Sequence, residues 1–279
     1  MPDSKSPGAT APANDFFALI TGASSGIGAC FAWALAARHR HLILVARSKT
    51  KMQALASEIS AQHAVRIEVI DQDLSLEGAA ARLVATLRGR NLPVDLLVNN
   101  AGFGAHGEFW KLPLDRQTAM LRLNVVALTE LTYLLLPAMV ERHRGGVINV
   151  SSTAGFQPVP YTTVYAATKA YVTSFSMGLA EEVGASGVKI MALCPGGTAT
   201  NFFAAGDFQK LEFPGGLQSP QEVVAAGLRA YDRGRSLVIA RFLNRLMVFA
   251  ERIAPRRLVA QQAGEIFRPR APRQVQKRD

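Results

Sequence analysis

Hydrophobic and polar positions along this chain alternate between two periods. Short runs at Phe16–Ile20, Leu42–Ala46, Arg66–Ile70, Asp95–Val98, Val147–Val150 and Lys189–Leu193 are apolar at nearly every position, as in Leu42-Ile-Leu-Val45. Strands buried on both faces read this way. Between them lie longer stretches with helical periodicity at Gly26–Arg38, Ser48–Ala61, Leu76–Arg88, Asp115–Arg142 and Tyr165–Val183. Leu237–Ala240 reads as a last strand. The alternation predicts an α/β fold, a doubly wound parallel sheet of about seven strands with helices on both faces. Ligands of such sheets bind beyond the carboxyl ends of the strands.

The chain of 279 residues is long enough for one domain of this kind, and its 49% hydrophobic and 19% charged residues exclude a disordered protein. Residues 15–255 form the expected domain. Met1–Asn14 reads as a disordered leader lacking the apolar core of a signal peptide. No stretch approaches about 18 uninterrupted apolar residues, which argues against a transmembrane helix. The two cysteines, Cys30 and Cys194, fall in apolar segments and fit reduced, buried thiols of a cytoplasmic protein. The five histidines show no metal-ligand spacing, and no metal site is expected.

Charge changes the picture only at the C-terminus. Leu228–Asp279 carries thirteen Lys/Arg against four acids, +9 of the total +10. Residues 256–279 are read as a basic, mobile tail with a proline-rich end, Arg268-Pro-Arg-Ala-Pro-Arg273. Just before it, Phe242–Ala254 reads as a short helix stopped by Pro255, with Arg241, Arg245 and Arg252 along one stripe of an otherwise apolar element. Three readings stay open for it: peripheral contact with an anionic membrane, a lid over a lipophilic substrate, or a packed terminal helix with a solvated face.

Candidate chemistry sits at strand ends. Thr21-Gly-Ala-Ser-Ser-Gly-Ile-Gly28 follows the first strand and opens a helix. Gly22, Gly26 and Gly28 permit a tight turn, so that the backbone from Ser24 and Ser25 to Ile27 can approach a pyrophosphate at the helix N-terminus. Farther on, Tyr165 and Lys169 stand one helical turn apart, thirteen residues past Ser152. An ammonium beside a phenol favours the phenolate, and bringing a tyrosine from a pKa near ~10 to about 7 takes roughly 4 kcal/mol. One lysine and a second positive charge are expected to supply it.

Taken together these motifs resemble the short-chain dehydrogenase/reductase family in its single-domain branch, which implies a Rossmann-type fold. Besides the glycine loop, Asn99-Asn-Ala-Gly102, Asn124, Ser151-Ser152, Tyr165-x-x-x-Lys169 and Pro195-Gly196 match in order over roughly residues 16 to 240. The resemblance implies a carbonyl–alcohol interconversion on a small-molecule substrate. In it Ser152 polarises the substrate oxygen, Tyr165 is the general acid/base, Lys169 tunes the tyrosine and holds the nicotinamide ribose, and Asn124 holds a relay water from a distorted helix. It further implies that Asp73 and Leu74 pack by the adenine, that Asn100, Ala101 and Gly102 run along its ribose, and that Pro195, Gly196, Thr198 and Thr200 hold the nicotinamide end. No acid stands at the tip of the second strand, where Arg47 offers a forked cation with Ser24 or Lys51 as candidates to assist it, so NADP(H) is expected over NAD(H). Gly197 departs from the larger residue common in relatives. The segment Leu193–Phe203 and Leu243-Asn-Arg-Leu246 resemble a bacterial branch akin to long-chain 3-ketoacyl and 17β-hydroxysteroid reductases, which implies a bulky apolar carbonyl substrate. Phe202 and Phe203 are candidates for its binding site, with core packing as the alternative. Family habit implies a homodimer or homotetramer. The rivals are NAD-dependent alcohol oxidation, a non-catalytic nucleotide sensor, and nucleic-acid binding through the tail, for which the folded part shows no module.

Overall fold

Residues 16–206 and 216–269 are described in the computed structural model. Their first half is a run of strand–helix units: β1 (Phe17–Thr21), α1 (Gly26–Ala36), β2 (His41–Ala46), α2 (Lys49–Ser60), β3 (Ile67–Asp71) and α3 (Ala79–Gly89). The second half contains β4 (Val94–Asn99), α4 (Leu114–Leu121), α5 (Leu128–Glu141), β5 (Gly145–Val150), α6 (Thr163–Glu182), β6 (Val188–Cys194), the single turn α7 (Phe202–Ala205), α8 (Pro220–Asp232) and β7 (Leu237–Ile239). Two helices close the described chain, α9 (Phe242–Ile253) and α10 (Arg256–Phe267).

The seven strands form one sheet in the order β3-β2-β1-β4-β5-β6-β7, with every pairing parallel. The order reverses between β1 and β4, and the crevice at that switch point is where such sheets take ligands. Side chains alternate across each strand. Ala18 and Ile20 of β1 pack with Phe31 and Leu35 of α1, Met52 of α2 and Val223 and Leu228 of α8. Phe17 and Leu19 pack on the opposite face with Leu83 and Leu87 of α3 and Leu131 and Met139 of α5. The doubly wound architecture read from the apolar runs is therefore the observed one.

Three local features differ from the sequence expectation. Helix α3 starts at Ala79, because Gly78 takes φ +67° and Asp73 turns the preceding chain back by accepting from the backbone N and hydroxyl of Ser75. The long helix over Asp115–Arg142 is interrupted by a π-helical turn at Arg122–Ala127. That combined stretch, Leu114–Glu141, is apolar enough by length and composition alone to cross a membrane (mean hydropathy 1.6). Here it lies against the sheet, with Leu131 and Met139 in the core. Finally, the chain beyond Pro255 is not all tail. Pro255 ends α9 but its carbonyl accepts from the backbone N of Val259 at 3.2 Å and so opens α10. A proline that cannot continue one helix is well suited to begin the next. The expected leader at 1–14 and the proline-rich stretch past residue 269 lie outside the described residues.

Candidate active site

A cavity of about 970 Å³ runs along the carboxyl ends of the strands. One end is built by the glycine loop. Gly22 and Gly26 take φ +65° and +56°, and Ser25, which precedes α1, makes no side-chain cap, so the first N–H groups of α1 are left for an anion. Asn100 locks this loop to β4 by donating from Nδ2 to the carbonyls of Thr21 (2.9 Å) and Gly22 (3.2 Å). Arg47, Lys51, Asp73 and Leu74 form the adjoining wall. Burial raises the Asp73 carboxyl, but hydrogen bonds from Ser75 and the nearby charge of Arg47 outweigh it and hold the group below the ordinary carboxylate range.

The other end holds the proposed acid. Ser152 follows β5 and opens a short 3₁₀ turn, Thr153–Phe156, accepting from the backbone N of Ala154 at 3.1 Å. Gly155 in that turn presses on α6 so closely that a Cβ would stand 2.7 Å from the Lys169 carbonyl, which fixes Ser152 against Tyr165. The Ser152 hydroxyl stands near enough to the Tyr165 phenol to lower its pKa against the effect of burial. Lys169 Nζ donates to the Val150 carbonyl at 2.7 Å and lies 5.7 Å from the Tyr165 ring centre. Phe202 packs 5.2 Å from the same ring, and both Phe202 and Phe203 line the cavity.

Burial governs the electrostatics here. It pushes the Tyr165 phenol up to about 12, the Ser152 hydroxyl offsetting part of this, and pushes Lys169 down to about 8. A single lysine does not bring the tyrosine towards 7, because both groups sit in low dielectric and the ammonium is spent on Val150. Cys194, likewise raised to about 11 by burial, is a near neighbour of this group; it and Cys30 are both free thiols.

Of the residues singled out by sequence, two do not reach the cavity wall. Gly28 is buried beneath the loop, where a Cβ would meet the Gly22 carbonyl at 2.3 Å, so its lack of a side chain lets α1 pack under the turn. Asn124 is 1% exposed. It donates to the Phe103 carbonyl (3.0 Å) and Thr168 Oγ1 (3.1 Å) and accepts from Phe103 N (3.2 Å), which ties the π-helical turn to the segment after Gly102. All the others, from Gly22, Ser24, Ser25, Gly26 and Ile27 to Asn100, Ala101, Gly102, Pro195, Gly196, Thr198 and Thr200, line one cavity.

Sequence reasoning missed the residues that close it. Gln218 accepts from Gly196 N (3.1 Å) and from Asn244 Nδ2 (3.2 Å), while its backbone bonds to Gly197 and Ala199. Asn244, Met247 and Glu251 of α9 and Gln262, Ile266 and Phe267 of α10 complete the wall. The spacing 244, 247, 251 was the one available signal, since it places the two non-basic polar residues of the helix, Asn244 and Glu251, on one face. Glu251 Oε2 is buried with no hydrogen-bond partner, and burial raises that carboxyl to about 7.

Fold and site together define a nucleotide-binding α/β protein of the short-chain dehydrogenase type. Residues 17–209 match the short chain dehydrogenase family, and the chain belongs to it. A very-long-chain 3-oxoacyl-CoA reductase from Bos taurus is 37% identical over 188 residues, 66% of this chain and 60% of that protein's length. Among solved structures, a short-chain dehydrogenase from Sphingobium yanoikuyae in complex with NADPH aligns with TM-score 0.77 and 30% identity, covering 92% of this chain and 99% of that one. The bulky-bulky ketone specific alcohol dehydrogenase from Comamonas testosteroni aligns with TM-score 0.73 and 31% identity, over 94% and 99%. The uncapped start of α1, the two left-handed glycines and the length of the cavity fit a nicotinamide dinucleotide.

Proposed function

We propose that this protein is an NADP(H)-dependent oxidoreductase that reduces a bulky, apolar ketone or aldehyde. The observation that carries the reading is the meeting of Ser152, Tyr165 and Lys169 at one end of a cavity whose other end is the N-terminus of α1. When bound, a nicotinamide supplies the hydride to the carbonyl carbon. The chain does the rest. Ser152 donates to the substrate oxygen as charge develops on it. Tyr165, protonated at neutral pH because burial holds its phenol near 12, gives that oxygen a proton. Lys169, with its pKa near 8, is mostly charged at pH 7 and stabilises the phenolate that remains. Asn124 holds the helix distortion behind Gly102, where a π-helical turn frees backbone groups for a proton relay.

Arg47 and Lys51, with no acid at the end of β2, support NADP(H) over NAD(H). The apolar wall of Phe202, Phe203, Met247 and Ile266 supports a bulky substrate, as do the names of the Bos taurus and Comamonas testosteroni relatives. Exposed Leu121, Val126 and Tyr133 on the long helix and Tyr171 and Met177 on α6 support a homodimer or homotetramer through these helices. The free thiols suit a cytoplasmic setting.

The test is an NADPH- and NADH-oxidation screen over bulky ketones, 3-ketoacyl thioesters and aliphatic aldehydes. Turnover with NADPH that falls about 10²–10⁴-fold in Tyr165→Phe, with NADPH affinity unchanged, is the expected result. Near-wild-type turnover in that variant rejects the mechanism, and equal or better efficiency with NADH rejects the cofactor assignment.

A further inference from the structure

Helix α9 is amphipathic in the wrong sense for a helix of a water-facing surface. Asn244, Met247 and Glu251 face the cavity. Phe242, Leu246, Phe249 and Ile253, at i, i+4, i+7 and i+11, form the outward stripe, with Phe242 and Ile253 each 72% exposed. At about 100° per residue the two sets lie on opposite sides of the helix. Of the residues of α9, only Val248 is buried, and α10 buries only Val259 and Ala263 while exposing Leu258. Side chains of this size in a continuous stripe are a contact surface.

Charge decides the occupant. Residues 241–268 contain six arginines and two glutamates, and Arg270, Arg273, Lys277 and Arg278 follow in the sequence. One of the two glutamates, Glu251, is on the cavity side and shifted towards neutrality by burial. Arg245 and Arg252 run beside the apolar stripe along one flank of α9. A second copy of the same face, related by a two-fold axis, would bring positive against positive. A nucleic acid would satisfy the arginines but leave the aliphatic Leu246 and Ile253 against phosphate. An anionic bilayer takes both, apolar stripe in the acyl boundary and arginines on phosphate.

A second element stands on the same rim. His106 Nε2 meets the Phe267 carbonyl at 2.6 Å, which joins the end of α10 to the connection after β4. Three residues on, that connection exposes Phe109 and Trp110, with Lys111 and then Leu114 beside them, and Trp110 is 76% exposed. Tryptophan flanked by a cation is a residue of the membrane–water boundary.

We infer that α9, α10 and the Phe109–Leu114 segment form a docking surface for an anionic lipid bilayer, set against the wall of the substrate cavity. The docking does not depend on the proposed reaction; that reading adds only that an apolar carbonyl compound dissolved in the bilayer would enter beside α9 and α10.

The experiment uses the full chain without substrate. Partition is measured by co-sedimentation with vesicles of phosphatidylcholine alone and of an equal mixture with phosphatidylglycerol, at low and high salt. Trp110 fluorescence is read against brominated acyl chains, with Trp110→Phe reporting the background from Trp33. Partition onto the anionic vesicles at least about tenfold above phosphatidylcholine, weakened by salt, is expected. Trp110 should be quenched there. Phe242→Ser with Phe249→Ser should lower partition at least about tenfold with the melting temperature unchanged, since both rings are already exposed in the free protein. Equal partition onto both vesicles overturns the proposal. So does binding that survives the double substitution, or a substitution that changes only the sedimentation velocity of the free protein, which would assign the stripe to a second copy. Ketone reduction measured on the same samples separates a failure of docking from a failure of the enzymatic reading.

Discussion

Gly28→Ala is the perturbation whose effect the geometry fixes most tightly. The added methyl would stand 2.3 Å from the Gly22 carbonyl oxygen and 2.6 Å from Asn100 Nδ2. The first distance is roughly 1 Å short of the 3.4 Å at which ordinary contact begins. Neither neighbour is a flexible side-chain end free to swing away. Gly22 is backbone held at φ +65°, and Asn100 Nδ2 is engaged with the carbonyls of Thr21 and Gly22. Relief requires lifting the loop off α1, which disturbs those two hydrogen bonds. Overpacking of about 1–3 kcal/mol and the weakened bonds together give roughly 2–4 kcal/mol of destabilisation. At ~2–4 °C per kcal/mol for a domain of this size, the melting temperature falls by roughly 4–16 °C. The displaced backbone carries the uncapped N–H groups at the start of α1, so under the proposed function affinity for NADPH should fall with it. Gly89→Ala is the matched control: nothing lies within 4 Å of its Cβ position at the end of α3, and alanine there should stabilise by up to about 0.5–1 kcal/mol. Urea unfolding and NADPH titration by fluorescence read both variants. A Gly28→Ala protein with the wild-type midpoint and wild-type NADPH affinity refutes the packing argument.

Replacing Arg47 by aspartate should lower kcat/KM for NADPH about 10–100-fold, the worth of a charged hydrogen bond, with a smaller change for NADH; parallel losses with both cofactors would remove Arg47 from 2′-phosphate recognition. Lys169 falls from 10.5 to about 8 in the fold, a penalty of about 3 kcal/mol on its charged form. The unfolded chain binds that proton more tightly, so stability should rise with pH between about 8 and 10.5 in the wild type and lose that rise in Lys169→Met, as followed by urea midpoints; identical pH profiles contradict the assignment. Glu251 is raised from 4.5 to about 7, so the folded state holds the proton more tightly and stability should decline as pH climbs through that window. Glu251→Gln should flatten the decline, and a slope unchanged in the variant would place its origin elsewhere.

Much of this molecule is legible in its sequence for a physical reason. Strands buried on both faces must be continuously apolar, so β1, β2, β4, β5 and β6 show themselves directly, whereas β3, at the sheet edge and partly exposed, carries Glu68 among its apolar residues. A loop that wraps phosphates with backbone must carry glycine at fixed offsets, so Gly22 and Gly26 stand out too. The C-terminal helices follow no such rule. On α9 the outward face is more apolar than the cavity face, so Asn244 and Glu251 look like solvent residues and Leu246 and Ile253 look like core. Pro255 reads as an end because proline ends helices, yet it equally begins α10. Gln218 carries no motif at all, since its work is to bridge Gly196 and Asn244 across a break of more than twenty residues. The raised phenol of Tyr165 was invisible as well: charge can be counted along a sequence, whereas desolvation is known only once the walls are in place.

That last point ties the acid to the substrate site. Tyr165 is buried partly by Phe202, whose ring lies 5.2 Å away and which also shapes the cavity. Lys169 is confined from the opposite side by β5, where the Val150 carbonyl takes its ammonium. The apolar walls of the cavity are thus walls that keep the phenol protonated and lower the lysine to about 8. A substrate that fills the space beside Phe202 excludes water further and strengthens the interaction of Tyr165 and Ser152 with the oxygen they address. A small ligand that leaves this space wet weakens it. Under the proposed function, preference for a large apolar carbonyl compound would follow from the same low dielectric that sets the proton donor, in a cavity whose wall α9 and α10 finish.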